Sequence, residues 1–137
     1  MRSTSLVITL FVAAIALAAL HDIALRLNWY YLYPAIDIPL HILGGFVVAI
    51  FTYFLMTSQR LLPPYSSHFQ ILKILLLGTL FISLLWELLE LVFFLTKDAG
   101  LSIETLSDIA FGLVGAIIAW GAVLLLRKNK TTSKEVV

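Results

Sequence analysis

Residues 69–96 read FQILKILLLGTLFISLLWELLELVFFLT, a continuous apolar run that nonetheless carries Glu87 and Glu90. Roughly 20 apolar residues cross a bilayer as a helix, so the run is long enough to span. A charged side chain at the centre of such a helix costs about 2.5–3.5 kcal/mol on insertion scales. Glu87 and Glu90 are three apart and share one helix face, which Thr79 and Ser83 extend as a polar stripe. Chains place such groups where water, a partner or a metal compensates them. This one stretch therefore indicates both a membrane fold and a candidate site.

Three further apolar runs cover about residues 6–25, 38–57 and 105–126. The expected architecture is an all-α integral membrane bundle of four transmembrane helices. These form one domain over residues 1–126, with 127–137 as a basic cytoplasmic tail. The chain is 61% hydrophobic and 12% charged. Soluble domains are about 45–50% apolar and about 25% charged, so composition agrees with the bilayer as the principal partner. The runs are continuous rather than alternating, which selects helices over a β-barrel.

No basic patch interrupts the apolar text and the net charge is +1, so no nucleic-acid partner is expected. The absence of cysteine excludes disulfides, thiolate metal sites and iron–sulfur clusters. Ala16-Leu17-Ala18 resembles a secretory cleavage site, but apolar residues continue to Leu25, which favours a retained span.

Basic residues set the expected orientation. Arg2, Arg60, Lys73, Arg127, Lys128, Lys130 and Lys134 fall on one side of a four-span arrangement, and Arg26 and Lys97 on the other. The positive-inside rule then puts both termini in the cytoplasm. Asp37 and His41, Glu87 and Glu90, and Glu104 and Asp108 all fall toward the extracytoplasmic end, with His21 and Asp22.

Each pair also has a plainer reading. Asp37 precedes Ile38-Pro39 and could cap a helix. His41, one turn on, is not explained that way and shares the face of Asp37. Glu104 would complement a helix dipole, whereas Asp108 lies deeper and shares a face with Gly112 and Gly115. Gly44 and Gly45 follow His41, and such small residues let helices approach closely.

The candidate metal ligands are Asp37, His41, Glu87, Glu90 and Asp108, with Glu87 and Glu90 also the candidate catalytic carboxylates. One imidazole among carboxylates suits Zn, Mn, Mg or ferrous iron as a divalent cofactor. The Glu-x-x-His motif of di-metal bundles is absent.

The pieces Asp37-x-x-x-His41-x-x-x-Gly45, Trp86-Glu87-x-x-Glu90 and Glu104-Thr105-x-x-Asp108 with Gly115-Ala116 resemble the YjdF-like family of small bacterial membrane proteins. More distantly they resemble the VanZ-like family. The resemblance covers about Asp37 to Trp120. The YjdF-like pattern usually has Asp where this chain has Glu104, and its members tend to have additional spans. The resemblance implies a cell-envelope setting and no established activity. This chain departs enough from the VanZ-like pattern that glycopeptide resistance is not carried over.

Three functions are compatible with this text. The first is a metal-assisted enzyme acting on a lipid, lipid-linked or envelope precursor. The second is an ion or proton translocation component. The third is a structural bundle that binds a partner protein. Polar content is concentrated at one end, which favours a pocket over a channel.

Overall fold

The computed structural model describes residues 2–63, 65–93 and 103–132, with backbone alone at 2, 3, 5, 34, 90, 91, 93, 103, 104 and 128–132. Its helices are α1 (Arg2–Arg26), α2 (Trp29–Leu32), α3 (Asp37–Ser58), α4 (His68–Phe93) and α5 (Ile103–Thr132). A short 3-10 turn at Pro34–Ile36 separates α2 from α3. Among the described residues α1, α3, α4 and α5 are long and apolar enough to cross a membrane, and α2 is a single turn. The protein is a multi-pass helical membrane protein.

Helix α3 is central. It packs most extensively on α5, then on α4 and α1, and α4 and α5 also pack together. The buried cluster is built of Ala49, Ile50, Ile71, Leu75, Ala116, Ala119 and Val123, joined by Leu6 of α1 and Leu62 of the loop after α3. Large apolar side chains point outward instead: Phe11, Ile15, Phe81 and Leu125 are each more than 60% exposed. Large side chains facing outward and alanines at the helix contacts are what lipid favours, since helices there gain by close packing and not by leaving water.

The α3–α4 loop is held by local bonds and by α5. Arg60 takes a left-handed conformation (φ 57°), turning the chain so that the Leu61 and Leu62 amides donate to the Met56 carbonyl. Ser67 and Gln70 form a reciprocal cap at the start of α4. The Gln70 amide donates to Ser67 Oγ at 3.1 Å and the Ser67 amide to Gln70 Oε1 at 2.8 Å. Trp120 Nε1 donates to the His68 carbonyl at 3.0 Å, and Arg127 to the Ser66 carbonyl at 3.3 Å. These bonds close what is called here the loop end of the bundle.

At the opposite end, Asn28 in a left-handed conformation (φ 59°) terminates α1, and α2 folds back beside it. His21 Nδ1 pairs with the Tyr30 hydroxyl at 2.7 Å, and Arg26 with Asp22 at 2.7 Å. The chain then enters α3 at Asp37. Residues 29–36, which separate the first two spans, hold α2 and the 3-10 turn. Helix α5 continues past Leu126 to Thr132, so the first residues of the basic tail are helical.

Candidate metal centre

Asp37 is the first residue of α3 and not its cap. The cap position belongs to Ile36, where no side-chain cap bond forms. The Asp37 carboxylate instead turns along the helix to His41, one turn on, placing Oδ1 3.3 Å from Nε2. The capping alternative thus gives way to a side-chain pair. Pro39 is tolerated here because the first turn of a helix lacks amide partners in any case.

Asp108 of α5 reaches the same ring nitrogen from across the bundle, with Oδ1 3.6 Å from His41 Nε2. One donor atom from each of Asp37, His41 and Asp108 lies within 4.8 Å of the other two. Their side chains are 41%, 24% and 19% exposed, so the group sits at the rim of the bundle and not at its centre.

Glycine sets this approach. His41 and Asp108 are each followed four residues later by a glycine, Gly45 and Gly112. A Cβ at Gly45 would collide with the Gly112 carbonyl, and one at Gly115 with the Ile42 carbonyl. The two backbones therefore touch one turn beneath the polar group, as only unsubstituted residues permit. Gly44, grouped with Gly45 in the sequence, has open space around it. The pairing of Gly45 with Gly112 was signalled by their equal spacing from His41 and Asp108, but only helix register reveals it.

The separations fit an ion-paired imidazolium and a metal alike. In the first case the single Nε2 hydrogen serves Asp37 at 3.3 Å, and Asp108 adds its charge from 3.6 Å. Donors around one ion at about 2.0–2.2 Å stand about 3.0–3.6 Å apart, which these distances match. One imidazole nitrogen with two carboxylates fits Zn, Mn or ferrous iron best. A divalent ion would offset the two acids and retain coordination positions for water or substrate.

The other expected residues divide. Glu87 is half-buried on α4 and adds to the negative field at His41, but it does not join the three-donor group. The side chains of Glu90 and Glu104 lie outside the described residues. Thr79 is fully buried with its hydroxyl unpartnered, and Ser83 Oγ lies against Gly112. His21 and Asp22 are engaged with Tyr30 and Arg26, apart from the group. His68 is exposed at the loop end. Comparison with family models, curated proteins and solved structures returns no match.

Proposed function

We propose that the protein is a membrane-embedded, metal-dependent enzyme that hydrolyses an ester or phosphoester of a lipid or lipid-linked envelope precursor. The convergence of Asp37 and Asp108 on one nitrogen of His41 carries this reading. The ion held there polarises a carbonyl or phosphoryl oxygen and lowers the proton affinity of its bound water. A site at the bundle rim suits a substrate whose reactive bond lies near headgroup depth.

The asymmetry of basic residues supports an extracytoplasmic placement of the site, with both termini in the cytoplasm. The exposed aromatic residues Tyr31 and Tyr33 at the same end of the bundle fit an interfacial belt. The resemblance of residue order to the YjdF-like family agrees with an envelope role.

Ion or proton translocation is less well supported. Ile50, Ile71, Leu75 and Val123 are fully buried toward the loop end and form an apolar plug between the site and that side. A relay would need polar groups continuing through this region. The third reading, a scaffold for a partner protein, has no observation in its favour beyond the bundle itself.

Metal analysis of the purified chain tests the proposal. The expected result is one divalent ion per chain, lost in His41→Ala, with chelator-sensitive consumption of one class in a membrane-lipid extract followed by mass spectrometry. Absence of stoichiometric metal from protein supplied with Zn²⁺, Mn²⁺ and Fe²⁺ would overturn it.

A further inference from the structure

Thr79, Ser83 and Glu87 recur at intervals of four on α4 and so share one face. Thr79 is fully buried, and a Cβ at Gly112 would stand 3.2 Å from Ser83 Oγ and 4.0 Å from the His41 carbonyl oxygen. This face of α4 therefore points into the bundle, and Ser83 is level with Gly112. Helices α4 and α5 are antiparallel, so one turn toward the site end leads from Ser83 to Glu87 and from Gly112 to Asp108. Glu87 thus stands at the level of Asp108 and His41, on the third wall of the site. It acts on His41 electrostatically yet remains outside the group of three donors.

We infer that Glu87 is the acid–base group of the centre and not one of its ligands, with its carboxylate facing the coordination position left open by Asp37, His41 and Asp108. The inference rests on the metal-centre reading and assigns the labour within it: α3 and α5 hold the ion, and α4 moves the proton. A water held by the ion gives one proton to the Glu87 carboxylate while its oxygen bonds to the carbon or phosphorus of the ester. The ester bond to the leaving oxygen breaks, and the departing alkoxide takes that proton back from Glu87. One water is consumed and the carboxylate is restored. A carboxylate just beyond the ligand shell suits this task, because a ligating one would have its basicity quenched by the ion.

Cobalt(II) followed by azide provides the test, using the full chain purified in detergent. Cobalt reports its ligands through its visible absorption, and azide occupies the open position as an anion. Glu87→Gln is expected to bind one Co²⁺ with the wild-type spectrum and with affinity lowered only by the loss of a nearby charge, whereas Asp108→Asn and His41→Ala lose the spectrum. Azide should bind the Co²⁺ form of Glu87→Gln about tenfold more tightly than wild type, since one nearby negative charge has been removed. Loss of Co²⁺ from Glu87→Gln would make Glu87 a ligand and overturn the inference. Retained Co²⁺ with unchanged azide affinity would also overturn it, by placing Glu87 away from the open position. Failure of the wild-type chain to bind Co²⁺ would instead refute the metal centre beneath it.

Discussion

Gly45 and Gly112 meet backbone to backbone one helical turn below His41 and Asp108, so the spacing of the two helices that carry these side chains is fixed directly beneath them. No side chain intervenes to flex. The separation of Nε2 from the Asp108 carboxylate is therefore a consequence of helix packing and not of rotamer choice alone.

Substitution of these glycines should grade by what each Cβ meets. Gly45→Ala is expected to cost about 1–3 kcal/mol through overpacking and to lower metal affinity, because α3 and α5 must separate. Gly112→Ala meets a side-chain hydroxyl, Ser83 Oγ, at 3.2 Å and backbone only at 4.0 Å, and should cost less. Gly44→Ala meets open space and should be neutral or raise stability by about 0.5–1 kcal/mol. Thermal unfolding in detergent with metal titration checks the order, and equal effects at all three positions would count against the helix contact.

Acid should release the ion. Ligands must be deprotonated to coordinate, so affinity is expected to fall as pH is lowered and to recover on returning to neutral pH. Asp108→Asn should weaken binding by about tenfold or more, since an amide replaces an anionic donor. Isothermal titration with Zn²⁺ or Mn²⁺ across pH measures both. Binding that strengthens in acid would be incompatible with the site.

Thr79→Val removes a buried hydroxyl that lacks a partner while keeping the shape of the side chain. Stability is expected to rise by about 1 kcal/mol, the order of a desolvation penalty relieved. Metal stoichiometry should not change. A fall of several degrees in Tm would show that the hydroxyl has a partner in the membrane.

The loop of residues 59–67 should be protected from membrane-impermeant reagents applied to intact cells, and a reporter fused after Thr132 should be cytoplasmic. The basic residues clustered at this end motivate the expectation. External exposure of Arg60–His68 would reverse the orientation and place the site on the cytoplasmic side.

Much of the fold was legible because hydropathy reports lipid exposure directly. The four spans could be read from apolar run length, and the clustering of acids at one end followed from alternating direction. The three-donor group was less legible. Asp37 has the same sequence context whether it caps the helix or pairs along it, and only its place inside α3, with the carboxylate turned to His41, separates these. Glu87 and Asp108 look equivalent as acids in apolar helices, yet rotation about each helix axis admits Asp108 to the group and leaves Glu87 beside it. Gly44 and Gly45 are neighbours in sequence and opposite in consequence. Helix rotation is a property of packing, which a period of 3.6 residues constrains without fixing.

The contribution of Asp108 from α5 has a consequence for biogenesis. Asp37 and His41 enter the membrane together on α3, well before α5 leaves the ribosome. The second acid arrives only when α5 inserts and docks against α3 and against the loop through Trp120 and Arg127. Before that step the chain carries two of the three polar side chains. Completion of the polar group thus coincides with completion of topology, so an ion bound there would report correct assembly.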